Sequence, residues 1–140
     1  VGCGKGYLLF EIKQLIPNIK IMGFDISKYG LKNSKKEIRP FLFYQKAENR
    51  FMFKDNEFDL VISLATLHNL SLRDLKKAIS EIERVGKNKY IMVESFRDEK
   101  ELFNLQCWAL TAETFLDKEN WIDLYKELNY NGDYEFIYFE

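Results

Sequence analysis

Short apolar runs alternate with amphipathic stretches along the chain. Lys20–Asp25 (KIMGFD), Phe41–Lys46 (FLFYQK), Asp59–Leu64 (DLVISL) and Lys89–Ser95 (KYIMVES) are rich in Ile, Val, Phe or Tyr. Each is too short for a stable helix and suits a strand covered on both faces. Tyr7–Ile16 carries Leu8, Leu9, Ile12, Leu15 and Ile16 and is stopped by Pro17, which predicts a helix. Ser27–Ile38 is polar and Lys-rich, a second helix with Leu31 and Ile38 as its sparse apolar contacts. The clearest period joins Leu72, Leu75, Ile79, Ile82 and Val85 at spacings of three and four, with charged residues on the other faces. That helix, Leu72–Val85, is predicted to start at a Ser71 cap and to end in a left-handed Gly86. A last helix, Lys118–Leu128, capped by Asp117, would bury Trp121, Ile122, Tyr125 and Leu128. Asn131-Gly132-Asp133 then turns the chain into a final strand, Tyr134–Phe139, for which so short a turn predicts an antiparallel return. Phe96–Phe115 is the least regular stretch. The alternation predicts an α/β fold: a doubly wound, mostly parallel sheet with helices on both faces and an antiparallel C-terminal strand.

Composition narrows the function classes. The 140 residues allow one domain. A 46% apolar share, with 16% aromatic, belongs to a chain that packs a core. Lys and Arg total 21 against 22 Asp and Glu, so no net charge draws the chain to nucleic acid or to an anionic membrane. The basic stretch with Lys28, Lys32, Lys35, Lys36 and Arg39 reads as a solvated helix face. Two cysteines, Cys3 and Cys107, are too few for a disulfide framework and suit a reducing, cytoplasmic compartment. No Cys/His cluster has zinc spacing, so no metal is expected. No secretory signal or membrane-spanning apolar run is present.

The chemistry begins at the first residues. Val1-Gly2-Cys3-Gly4-Lys5-Gly6 leads directly into the Tyr7 helix. Glycines tighten such a turn and let a ligand approach the backbone, and the helix start supplies N–H groups and a positive dipole end. Asp25 ends the next strand, where a carboxylate can accept from a ribose diol. A dinucleotide fingerprint, G-x-G-x-x-G, would want glycine at position 7, where this chain has Tyr7. The spacing here is G-x-G-x-G.

That loop and its acidic partner resemble motif I of the class I S-adenosylmethionine-dependent methyltransferases, which have a Rossmann-like fold. Lys54-Asp55-Asn56-Glu57-Phe58-Asp59-Leu60-Val61 resembles the acidic turn into that family's fourth strand. Ile62–Leu70 (ISLATLHNL) resembles the strand end and loop that border its transfer site. The resemblance implies that Gly2, Gly4 and Gly6 contact the methionyl end of the cofactor. It implies that Asp25 holds the ribose hydroxyls, that Ile26 packs on the adenine, and that Ala47 and Glu48 lie at the adenine edge. Leu64 would offer backbone near the methionyl amine. Many relatives carry Gly-Asp-Ala where this chain has Gln45-Lys46-Ala47, so Glu48 or a backbone carbonyl would receive the adenine amino group. The resemblance also implies a sheet order 3-2-1-4-5 and a leader before motif I. Since the chain opens at Val1, inside the motif, residues 1–140 are expected to be a fragment lacking that leader and most of the first strand.

Methyl transfer from a sulfonium is an in-line displacement, so alignment and water exclusion dominate and a base is optional. His68, the sole histidine, either deprotonates an acceptor or packs on the cofactor or backbone. Asn69 either orients an acceptor or caps its loop. Glu94 either reaches the acceptor pocket or is solvated. Tyr7 either covers the methionyl group or packs at the helix start, and Trp108 and Phe115 belong to a lid or to the core. Cys3 reads as a small buried side chain, with no cysteine catalysis. The expected function is methyl transfer from S-adenosylmethionine to a small-molecule acceptor. The alternatives are a non-catalytic cofactor-binding or scaffold protein of the same fold and, disfavoured by Tyr7, a nicotinamide-dependent oxidoreductase.

Overall fold

In the computed structural model, which describes residues 1–140, the chain falls into two units, Val1–Ala47 and Glu48–Glu140. The first holds α1 (Tyr7–Leu15), β1 (Gly23–Asp25), α2 (Lys28–Lys32) and β2 (Leu42–Tyr44). The strands β1 and β2 pair in parallel with Phe24 opposite Phe43, their ring centroids 5.7 Å apart. Ser27 caps α2 by accepting from the Gly30 N–H at 3.0 Å. The helix expected to reach Ile38 stops at Lys32. Ser34 Oγ donates to the Leu31 carbonyl at 2.7 Å, so a side chain satisfies the acceptor that the next helical N–H would have used.

The second unit holds β3 (Phe58–Leu64), α3 (Leu72–Val85), β4 (Gly86–Glu94), α4 (Glu99–Trp108), α5 (Lys118–Glu127) and β5 (Asp133–Ile137). Its sheet runs β3-β4-β5, with Leu64 opposite Met92 and Val93 opposite Phe136. Helix α3 forms over the predicted residues, and Leu75, Ile79, Ile82 and Val85 are all but sealed from solvent. Each such side chain contributes roughly 1.5–3 kcal/mol by burial. Leu72, at the head of the stripe, is exposed. Arg84, on the opposite side of α3, ties down the loop before β3. Its guanidinium donates to the carbonyls of Phe51 and Phe53 and to the carboxylates of Asp55 and Glu81. Trp121 and Tyr125 of α5 are buried, and the Tyr125 ring lies 5.1 Å from Tyr130 and 4.9 Å from Tyr134.

Three expectations are corrected here. The last strand is parallel to its neighbour β4, not antiparallel. The Asn131-Gly132-Asp133 turn joins α5 to β5, so it does not set the direction of β5 against β4; α4 and α5 carry the chain back to the starting edge, as a parallel crossover requires. Gly86 is extended, with φ −102°, and is the first residue of β4. It is glycine because a Cβ there would sit 2.9 Å from Val61 Cγ2 and 3.0 Å from the Asn88 carbonyl. The stretch described as irregular contains α4, capped by Asp98, which accepts from the Glu101 N–H at 2.9 Å. Glu101 reaches back to the Arg97 N–H at 2.8 Å, completing a variant of the capping box that the Asp-x-x-Glu spacing announces.

Candidate functional site

In the first unit, backbone conformation shapes the glycine loop. Gly2, Gly4 and Gly6 have φ of 65°, 54° and 72°, values that cost other residues roughly 1–2 kcal/mol. A Cβ at Gly6 would also strike Leu42 Cδ1 at 2.8 Å, whereas one at Gly4 would point into open space. The Gly4 N–H donates to Asp25 Oδ2 at 2.7 Å, and the Ser27 N–H donates to Oδ1 at 2.7 Å. Asp25 thus braces the loop with one acceptor position on each oxygen, and an ionised carboxylate has about four in all, so both oxygens retain capacity. The first turn of α1 has no side-chain cap and no acidic residue. Its N–H groups and dipole suit an anionic group from outside the chain. Ile26, next to Asp25, is 62% exposed, an apolar side chain with room for a flat apolar ligand.

The other expected residues of this unit separate clearly. Ala47 is buried and Lys46 exposed. Tyr7 is exposed, not packed at the helix start. Cys3 is half-buried, and burial pushes its thiol up to about 11, so it stays protonated and unreactive near neutral pH.

In the second unit, Glu48 is half-buried, and Leu64 closes β3. Ala65 follows at φ 49°, a strained position for a residue with a Cβ, fixed by its N–H to the Met92 carbonyl at 3.0 Å. The turn Leu67–Asn69 places His68 in the interior, 6% exposed, where its Nδ1 touches Oε2 of Glu94. Glu94 is 2% exposed, so the solvated reading of this residue is corrected. No other protein group reaches His68 Nδ1 or either Glu94 carboxylate oxygen. Asn69 is engaged at both ends of its amide, donating to Thr66 O at 3.1 Å and accepting from Thr111 Oγ1 at 2.6 Å. Trp108 is exposed and stacks on Phe139 at 4.7 Å, while Phe115 is half-buried.

Sequence reasoning missed the role of residues 111–121. The N–H groups of Glu113 and Thr114 both donate to the His68 carbonyl at 3.0 Å, and Thr114 Oγ1 donates to the Leu70 carbonyl at 2.7 Å. Ser95 Oγ donates to the Leu116 carbonyl at 3.1 Å, and Trp121 Nε1 donates to the Glu94 carbonyl at 3.3 Å. One segment therefore holds the backbones of both His68 and Glu94. The available signal was Glu94 itself, an acid directly after the apolar run Tyr90–Val93.

Curated relatives include the protein named "Arginine-hydroxylase NDUFAF5, mitochondrial" in Mus musculus and in Homo sapiens. Each is 32% identical over 81% of this chain, which spans about a third (32%) of their length. Among solved structures, a chain from the complex between the Haloferax volcanii Trm112 methyltransferase activator and its assigned methyltransferase partner superposes with a TM-score of 0.71. It is 17% identical and covers 91% of this chain and 57% of that one. PH0226 protein from Pyrococcus horikoshii OT3 gives a TM-score of 0.54 at 22% identity, over 61% of this chain and 42% of that one. These likenesses show an α/β fold of this kind. No helix is long and apolar enough to cross a membrane. Residues 1–132 match the family described as "Methyltransferase domain", and the chain belongs to that family.

Proposed function

We propose that the chain binds S-adenosylmethionine at the glycine loop and transfers its methyl group to a small-molecule acceptor. The observation that carries this reading is the Gly4–Asp25 hydrogen bond, which joins an open, left-handed glycine turn to a carboxylate with spare acceptor capacity. In this reading Gly2, Gly4, Gly6 and the uncapped start of α1 receive the methionyl carboxylate. Asp25 accepts from the ribose hydroxyls, and exposed Ile26 packs on the adenine. Ala47, buried at the end of the same unit, serves the adenine edge. When bound, the cofactor supplies a sulfonium-borne methyl group with a neutral thioether as leaving group. The chain's own residues then have to align the acceptor and keep water away.

Titration calorimetry with S-adenosylmethionine and, separately, with NAD tests the cofactor. Binding of the first and not the second is expected, and the reverse overturns the reading. Release of S-adenosylhomocysteine over an acceptor panel separates an enzyme from a scaffold that binds without turnover. The activity in the curated relatives' name is an arginine hydroxylation. Product mass separates the two chemistries, because methylation adds CH2 and hydroxylation adds one oxygen.

A further inference from the structure

Glu94 ends β4, and His68 lies in the turn that follows the adjacent parallel strand β3. In the register of β3 with β4, Leu64 faces Met92, and Glu94 lies two residues further on. The two side chains are 7% and 1% exposed. A carboxylate this deeply buried, with one imidazole nitrogen as its sole close polar contact and no hydrogen bond, is costly to fold around. Its location argues for use. The backbones on both sides are fixed by the 111–121 segment, so the pair is held rather than incidental. The other ring nitrogen, Nε2, makes no hydrogen bond within the protein and is not among its sealed-off polar atoms.

We propose that Glu94 is a positioning residue that keeps the proton of neutral His68 on Nδ1, leaving the Nε2 lone pair to take a proton from a hydroxyl acceptor. A carboxylate against one ring nitrogen selects the tautomer that donates to it and stabilises the imidazolium formed when the second nitrogen is protonated. This inference rests on the methyl-transfer reading. In the step, the acceptor O–H bond breaks and its proton passes to Nε2. An oxygen lone pair forms the O–CH3 bond, and the S–CH3 bond breaks with its electron pair going to sulfur, which becomes a neutral thioether. The proton leaves His68 for solvent after the product departs. The acceptor class follows from the need for a base. A carboxylate or thiolate arrives already ionised, and a neutral amine already presents its lone pair, whereas an alcohol or phenol gains from proton removal in the transition state.

The test uses the fact that His68 is the sole histidine of these 140 residues. Long-range proton–nitrogen correlation spectra of protein labelled with 15N-histidine report which ring nitrogen carries the proton. The expected result is a protonated Nδ1 and an unprotonated Nε2. A neutral ring with its proton on Nε2 overturns the proposal. In Glu94→Gln, which keeps the shape, the strongly deshielded Nδ1 proton of a carboxylate contact should move upfield; an unchanged proton shift overturns the role of Glu94. In turnover, His68→Asn should lower kcat with phenols and alcohols by about 10²–10⁴-fold. S-adenosylmethionine affinity should not change. Turnover confined to carboxylic acids or thiols, or unaffected by His68→Asn, overturns the base assignment. The two levels of failure are distinct. Absence of S-adenosylmethionine binding removes the methyl-transfer reading, whereas normal binding with the wrong tautomer removes only the dyad.

Discussion

The main-chain N–H of Gly4 donates to Oδ2 of Asp25 at 2.7 Å, so the acid that closes β1 also sets the shape of the loop facing it. Both oxygens of that carboxylate are in use, the second by the Ser27 N–H. Asp25→Ala should therefore do two things at once. It removes two hydrogen bonds to a charged acceptor, each worth about 1.5–3 kcal/mol at most, and lowers the thermal midpoint. It also removes the acceptor for a ribose diol and should weaken S-adenosylmethionine binding by tenfold or more, about 1.4 kcal/mol. Asp25→Asn keeps one carbonyl acceptor and should retain more stability than affinity. Calorimetry and thermal melts on both variants separate the two roles. If affinity follows stability in strict proportion, Asp25 only braces the loop.

Two glycines of the same loop give opposite outcomes. Gly4→Ala meets nothing within 4 Å, so its stability cost is the backbone term alone, about 1 kcal/mol. A Cβ at Gly6 adds a 2.8 Å approach to Leu42 Cδ1 and 3.3 Å to Ile38 Cγ2, which forces movement in the packing around β2. Gly6→Ala should cost a further 1–3 kcal/mol or so. Urea denaturation ranks the pair. Gly4→Ala, though well folded, should lose cofactor affinity, because its new methyl group occupies the open space.

What was legible in the sequence, and what was not, follows from the range of the forces involved. Leu75, Ile79, Ile82 and Val85 sit on one helical face whatever surrounds them, so α3 was readable to the residue. Ser71 and Asp117 cap as expected because capping is settled within one turn. The helix after Lys32 failed for an equally local reason, the competing side chain of Ser34, which is harder to weigh against lysine-rich helix propensity. Gly86 was misread because its glycine answers to Val61 and Asn88 across the sheet and not to its own φ. The glycine loop and Asp25 were visible because loop, strand and acid fall in a fixed order. The His68–Glu94 pair was not, since it depends on the register of β3 against β4, which a single chain does not display.

The two cysteines should differ sharply towards an alkylating reagent. Cys107 is exposed on α4. Cys3 is half-buried in the glycine loop, where burial pushes its thiol up to about 11 and starves it of thiolate near pH 8. Iodoacetamide followed by peptide mass mapping should modify Cys107 well before Cys3. Prior addition of S-adenosylmethionine should slow Cys3 further and leave Cys107 unchanged. Equal protection of both would point to a general tightening instead of occupancy of the loop.

Acid stability offers the last test, through Glu81 and Arg84. Arg84 Nε and Nη2 meet Glu81 Oε1 and Oε2 at 2.8 and 2.6 Å, and Oε2 also accepts from the Phe51 N–H at 2.6 Å. The hydrogen bonds from Arg84 are the largest reason the Glu81 carboxyl is held below the usual range, with the Phe51 N–H adding to it. A depressed folded-state value means that this contribution is fully present above the ordinary glutamate value of about 4.3 and is lost as pH falls through the folded one. Glu81→Gln should therefore lower stability at neutral pH and make the wild-type and variant curves converge in acid. Arg84→Ala should cost more, because it also abandons the carbonyls of Phe51 and Phe53. Arg84→Lys should rescue little, since an ammonium cannot span those acceptors in the guanidinium's fixed plane. Urea midpoints for the four proteins between neutral pH and about pH 3, below the glutamate value, provide the check. A Glu81→Gln curve running parallel to wild type throughout would remove the carboxylate's titration from the account.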